Sequence, residues 1–151
     1  NPLDHNLLLK LGPEPLDQNF NDEYLYRLLQ GKRQYIKSAI MDYRNVVGIG
    51  NIYASEALFY AGIKPQRRAN RVSRKETHIL VKYIKKVIKN AIKKGGSTMS
   101  DFFDVNGENG YFQNQHKVYG REGLSCFKCQ SIIKQKRIGQ RSSFFCRICQ
   151  K

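Results

Sequence analysis

The chain has 151 residues, with 27 Lys and Arg against 12 Asp and Glu, a formal charge of +15 and a sequence pI of about 9.9. That length allows one modest core and a small accessory module, and the charge favours a polyanionic partner, nucleic acid before anionic membrane. No apolar run approaches the roughly 20 residues of a membrane-crossing helix, so a soluble chain with no membrane partner is expected.

The charge is uneven. Residues 1–63 carry six basic and seven acidic side chains, and residues 64–94 carry twelve basic and one acidic. Residues 95–116 hold three carboxylates and no Lys or Arg, whereas 117–151 hold nine basic side chains and one acidic. Two basic blocks therefore flank a slightly acidic, Gly/Asn-rich segment. A charge run is usually a solvated face, but here the second block also holds every cysteine of the chain.

Residues 1–20 are proline-rich and weakly patterned. Pro13 and Pro15 stop a helix, which predicts an extended lead-in with a turn at Gly12-Pro13. Asn21 can cap a helix running to Leu29, with Asp22 and Glu23 in its first turn and Gly31 at its end. A short helix is expected around 35–42, burying Ile36 and Ile40. Another begins at Asn51 and stops at Gly62, before Pro65. This succession resembles a helix–turn–helix variant.

Gly48-Ile-Gly50 lacks the third glycine of a dinucleotide fingerprint. Two residues without side chains would instead admit a neighbouring backbone, and Asn51 falls at or beside a helix N-terminus. On spacing alone, Asn51 reads equally as a phosphate ligand or as a plain cap. Ser73-Arg-Lys-Glu76 is a capping box. It opens the longest helix, whose stripe Ile79, Leu80, Tyr83, Ile84, Val87, Ile88 and Ala91 faces a core, with His78 solvated near its start. Residues 104–110 (Asp-Val-Asn-Gly-Glu-Asn-Gly) read as a mobile loop.

The last quarter contains Cys126-Phe-Lys-Cys129 and, after sixteen intervening residues, Cys146-Arg-Ile-Cys149. Two such pairs brought together by a hairpin supply four sulfurs to one tetrahedral ion, a spacing in the range of structural zinc; two disulfides are the competing reading. The pattern predicts one structural Zn2+ on Cys126, Cys129, Cys146 and Cys149, no catalysis at the metal, and a reducing, cytoplasmic setting. Strands are expected at 131–136 and 142–146, joined by the basic tip Arg137-Ile-Gly-Gln-Arg141. Such a tip can place an arginine on phosphate. His116 is a possible extra ligand that four sulfurs make unnecessary.

Leu11-Gly-Pro-Glu-Pro-Leu16, Val46-Val-Gly-Ile-Gly-Asn-Ile-Tyr-Ala-Ser-Glu56, Gly95-Gly-Ser-Thr98, Gly110-Tyr-Phe112, Val118-Tyr-Gly-Arg121 and the four-cysteine module with Gln140-Arg141 occur in one order. Together they resemble the C-terminal half of the bacterial formamidopyrimidine-DNA glycosylases (8-oxoguanine DNA glycosylase/AP lyases). The resemblance implies a mainly α fold, a helix–two-turn–helix domain followed by a small four-cysteine zinc-finger β-hairpin. It divides the chain into a lead-in at 1–20, a DNA-binding domain at 21–112 and a zinc finger at 117–151, with a lesion-capping loop at about 104–111.

The family excises oxidised purines from duplex DNA and cleaves the abasic strand. The implied partner is damaged double-stranded DNA, bound by a monomer. The implied DNA contacts are Lys32, Lys37, Asn51, Tyr119 and Arg141, with Arg141 also resembling the family's proton donor for δ-elimination. Glu108 stands where many relatives have a basic residue. The family's attacking proline amine and its acid belong to an N-terminal domain, so the chain is expected to be the DNA-binding half, inactive by itself. A relative specialised for oxidised pyrimidines and a zinc-ribbon RNA-binding or ribosomal-type protein are the alternatives.

Overall fold

The computed structural model describes residues 11–94 and 116–151. The expectations for Asn1-Pro2, for Gly95-Gly-Ser-Thr98 and for the loop 104–111 lie outside the described residues. Among the described residues, four α-helices, α1 (Asp22–Gln30), α2 (Ile36–Met41), α3 (Asn51–Ala61) and α4 (Arg74–Lys93), precede a two-stranded antiparallel sheet, β1 (Lys134–Ile138) and β2 (Arg141–Phe145).

The helix limits follow local chemistry. Asn21 accepts from the Tyr24 amide at 2.9 Å and starts α1. Gly62 adopts the left-handed conformation (φ +77°) that ends α3, where the Ile63 amide donates back to the Leu58 carbonyl at 3.0 Å. Ser73 and Glu76 form the reciprocal capping box of α4. Phe20, Leu25, Leu29, Ile36, Ile40, Leu58, Ile63, Leu80 and Ile84 are fully buried between these helices. His78 is exposed and pairs with Asp22 across α4 and α1.

The lead-in departs from expectation. Gly12 and Pro13 pair with the segment after α2 rather than turning: the Gly12 amide donates to the Tyr43 carbonyl, and the Val47 amide donates to the Pro13 carbonyl. The turns fall at 14–17 and 17–20. Gly12 is the position where a close approach requires glycine, since a Cβ there would sit 2.3 Å from the Asn45 carbonyl oxygen. Gly48 and Gly50, expected to admit a neighbouring backbone, instead border open space.

The hairpin of the cysteine module pairs Lys134 with Phe145 through Ile138 with Arg141. Both strands lie closer to the tip than the sequence reading places them, because the turn uses only Gly139 and Gln140. Gly139 (φ +62°) takes the first turn position, as in a II′ hairpin. Val118, Ile133, Phe144, Cys126 and Cys146 form a small apolar cluster completed by Phe59 of α3.

Candidate nucleic-acid interface and metal centre

The N-terminus of α3 is capped by Gly50, which offers no side-chain acceptor. The first amides of the helix have no intrahelical partner, and the dipole makes that end positive. Asn51 occupies the first helical turn and does not cap it. Its Nδ2 crosses to the Ser142 carbonyl at 3.0 Å, while its Oδ1 is buried without a hydrogen-bond partner among the described residues.

Lys37, on α2, reaches the same strand. Its Nζ donates to Ser143 Oγ at 2.7 Å and to the Ser142 carbonyl at 3.3 Å. The residue is only 1% exposed. Burial, and then repulsion from Arg141, pull the Lys37 ammonium down from 10.5 to about 8. The Ser142 carbonyl thus takes hydrogen bonds from two helices. Arg141, the preceding residue, stands exposed at the mouth of the hairpin with its guanidinium close enough to Lys37 to repel it.

Three of the sequence-predicted residues therefore converge: Asn51, Lys37 and Arg141. Lys32 makes other contacts, its carbonyl accepting from the Asn70 amide and its charge acting on Asp42. Tyr119 is half-buried in the module, edge-to-face with Phe144 at 5.0 Å and with His116 at 5.8 Å.

Two polar side chains that sequence reasoning passed over hold the module to the helices. Glu56, 5% exposed, accepts from the amides of Lys117 (2.6 Å), Val118 (2.9 Å) and Tyr119 (2.9 Å). Gln150, fully buried, accepts from the Cys146 amide and donates to the Ile63 carbonyl. The Lys151 backbone pairs with Gly62 and Lys64, and Arg67 donates to the Lys151 carbonyl at 2.8 Å. A carboxylate inside the otherwise apolar face of α3 was the available signal for Glu56. Its partners, more than sixty residues on, were not visible locally.

The Sγ atoms of Cys126, Cys129, Cys146 and Cys149 all lie within 4.8 Å of one another, with Cys129–Cys146 at 3.3 Å and Cys126–Cys149 at 3.8 Å. Four sulfurs on a tetrahedron of metal–sulfur bonds of about 2.3 Å would be about 3.8 Å apart. Backbone amides donate to Cys126 Sγ and Cys146 Sγ at 3.4 Å each, as they do toward thiolates. Hydrogen bonding from Ser131 draws the Cys129 thiol down to about 6, whereas burial pushes Cys146 and Cys149 up. A cation is what would let all four be thiolates together. These residues can hold a metal ion, and His116 lies outside the cluster.

A helical body with an open, positive helix end, joined to a four-cysteine hairpin whose arginine stands beside that end, defines a helix–two-turn–helix protein with a finger able to hold a metal ion. Comparisons agree. The model of the formamidopyrimidine-DNA glycosylase H2TH domain matches residues 11–103. The formamidopyrimidine-DNA glycosylase of Neisseria meningitidis serogroup A is 49% identical over 147 residues, covering 97% of this chain and 54% of the relative. That of Shewanella woodyi is also 49% identical, with 99% and 55% covered.

Among solved structures, the Lactococcus lactis glycosylase non-covalently bound to DNA containing an AP site superposes with a TM-score of 0.86 at 32% identity, covering 99% of this chain and 53% of that one. The MutM protein of Thermus thermophilus gives 0.84 at 39%, with 97% and 56% covered. The chain belongs to the formamidopyrimidine-DNA glycosylase family and spans about half the length of the curated relatives it matches. Among the described residues no helix is long and apolar enough to cross a membrane.

Proposed function

We propose that these residues are the DNA-gripping half of a base-excision-repair glycosylase and AP lyase acting on oxidised purines in duplex DNA. The observation that carries this reading is the shared anchoring of the Ser142 carbonyl by Asn51 and Lys37, which fixes Arg141 beside the open end of α3. A phosphate there meets free amides, a helix dipole and a guanidinium together. Such contacts position the strand without reading sequence. Flipping a base costs a few kcal/mol, and a rigid grip on the flanking backbone offsets part of that cost.

In this reading Asn51 and Arg141 hold the phosphates flanking the extruded nucleotide, and Arg141 further donates the proton of the last elimination. Lys37 braces the hairpin from behind and adds positive potential, while Lys32 and Tyr119 contact the backbone farther out. Residues 21–112 make up the binding domain and 117–151 the finger. The ion is Zn2+, which ties Cys126, Cys129, Cys146 and Cys149 together and so keeps the hairpin tip in register. The attacking amine and the glycosylase acid belong to the other half of the relatives' length. The setting is cytoplasmic.

The test is binding to duplexes with and without an abasic analogue, at several salt concentrations. The chain should prefer the abasic duplex weakly and bind both with a steep salt dependence. Asn51→Ala and Arg141→Ala should each reduce abasic-duplex affinity about tenfold, the scale of one charge-assisted contact. Unaltered affinity in both variants would remove the reading. Borohydride treatment of the chain on an abasic duplex should trap no covalent adduct.

A further inference from the structure

We propose that the outward face of α4 is a second binding surface for duplex DNA, engaging phosphates through Lys82, Lys86, Lys89 and Lys93 while the site at Ser142 holds a different segment. The four lysines recur at intervals of four, three and four residues, so they form one stripe along the helix. At about 1.5 Å per residue the stripe is roughly 16 Å long. All four are exposed, and they lie opposite the buried face of Thr77, Leu80, Val81, Ile84 and Ile88.

Among the described residues the stripe has no acidic partner. After Glu76, α4 contains no acidic residue, so Lys82 with Lys86 and Lys89 with Lys93 are like-charge pairs one turn apart, an arrangement that destabilises a helix. Some exposed cations elsewhere are matched, Arg27 and Arg74 with Glu23 and Arg44 with Asp42, while others, such as Lys134 and Arg147, have no acidic partner among the described residues; the stripe differs in setting four such lysines on one helix face. Lys85, on the flank of the same helix, turns to the carbonyls of Pro15 and Asp17. The four stripe lysines therefore hold a concentration of positive charge that no acidic side chain among the described residues neutralises.

A stacked pair of tyrosines borders the stripe. Tyr60, 41% exposed at the end of α3, lies on Tyr83 with ring centroids 5.4 Å apart and planes inclined by 17°. The Lys82 and Lys86 ammoniums sit 5.5 and 5.9 Å from the Tyr83 centroid. Aromatic rings interleaved with cations are what a phosphate backbone with adjacent sugars and bases meets on nucleic-acid-binding surfaces. Tyr60 is nine residues along α3 from Asn51, about 13 Å. The border of the stripe is thus well separated from the end of α3 that approaches Arg141.

Duplex DNA fits this surface better than a lipid headgroup layer does. A helix lying in a bilayer interface inserts its apolar face. That face of α4 is packed into the core, and Ile92 alone among its large apolar residues is exposed. A duplex presents one charge per about 1.7 Å of axis, so a stripe of this length can run beside on the order of ten phosphates.

The test saturates the chain with a short unlabelled abasic duplex, then adds a labelled undamaged duplex and measures its capture by anisotropy. A ternary complex is expected. In the variant carrying Lys82→Gln, Lys86→Gln, Lys89→Gln and Lys93→Gln, capture of the second duplex should fall at least tenfold. Its salt slope should flatten by about 2 to 4, roughly 0.9 for each phosphate no longer neutralised. Circular dichroism should show unchanged or greater helicity, because like-charge pairs have been removed. Arg141→Ala should weaken the first duplex and leave capture of the second unaltered, so failure of the Ser142 site and failure of the stripe are read separately. Absence of a ternary complex, an unchanged slope in the four-Gln variant, or equal binding to anionic vesicles would each overturn the proposal.

Discussion

In the helical body, Leu25 and Leu29 of α1, Ile40 of α2, Leu58 of α3 and Leu80 and Ile84 of α4 meet in a common core, and burial of such side chains is worth about 1.5–3 kcal/mol each. In the cysteine module the corresponding cluster is Val118, Ile133, Phe144 and two sulfurs, completed by Phe59 from the body. Leu124, Phe127, Ile132 and Ile148 of the module remain about half exposed. The body can hold its shape by apolar burial. The module has too little apolar burial for that; polar clasps from Glu56 and Gln150 dock it, and its four clustered cysteines can hold a metal ion that would tie it together. The arginine of the proposed site is thus carried by the part with the smaller core and aimed by the part with the larger one.

Removing the metal should break this division most sharply. Structural zinc contributes about 10–16 kcal/mol in small fingers, far more than the module's apolar cluster supplies. Chelation, or Cys146→Ser, should unfold residues 117–151 while the far-ultraviolet signal of α1–α4 persists. Affinity for an abasic duplex should drop roughly a hundredfold, equivalent to about two charge-assisted contacts. Loss of the helical signal together with the module would show that the two parts are one cooperative unit.

Glu56→Ala comes next. It leaves the Lys117, Val118 and Tyr119 amides without their carboxylate, a penalty of about 3 kcal/mol or more. Hydrogen exchange at those three amides should speed up strongly, with little change in α4. Unchanged protection would mean that Gln150 and the Lys151 backbone suffice to dock the module.

What is legible in the sequence follows the same division. Asn21, Gly62 and the Ser73–Glu76 box can be read because a cap is chemistry among residues three or four apart. The cysteine quartet can be read because ligand spacing is local even when the site is not. The expected strands fall too near the cysteines, since the register depends on a two-residue turn at Gly139-Gln140 rather than on apolar alternation: β1 is almost wholly exposed. Spacing leaves Asn51 between cap and phosphate ligand, and its amide in fact bonds a carbonyl 91 residues away. The burial of Lys37 is likewise invisible, because the serines that receive its ammonium lie on the far hairpin.

Lys37 offers a pH test of how firmly body and module are joined. Its folded value of about 8 lies below its ordinary 10.5, so between those values the unfolded chain binds more protons and stability rises with pH. Burial is the larger cause of that depression and remains, but a phosphate seated at Arg141 offsets the smaller part that comes from Arg141 repulsion, and so strengthens the hold of Lys37 on its proton. Binding of an abasic duplex should therefore weaken as pH rises above about 8, by no more than tenfold per unit. Lys37→Met should flatten that dependence, as measured by titrations between pH 7 and 9.5. Parallel profiles for the two proteins would detach Lys37 from the phosphate site.

The smallest expected effect tests whether the body can be perturbed alone. Ser73 Oγ accepts from the Glu76 amide at 3.1 Å, and Ser73→Ala removes that cap at about 1 kcal/mol. The rest of the box survives, because the Glu76 carboxylate still accepts from the Ser73 amide and from Arg67. Arg67 in turn donates to the Lys151 carbonyl, so Glu76 is the point where the capping box touches the module. Ser73→Ala should lower the denaturant midpoint of the helical transition and leave exchange at residues 117–119 unaltered. Glu76→Ala should do both, since it frees Arg67 from its carboxylate and loosens the end of the chain. Were Ser73→Ala alone to loosen the module, α4 and the finger would be coupled through more than this one arginine.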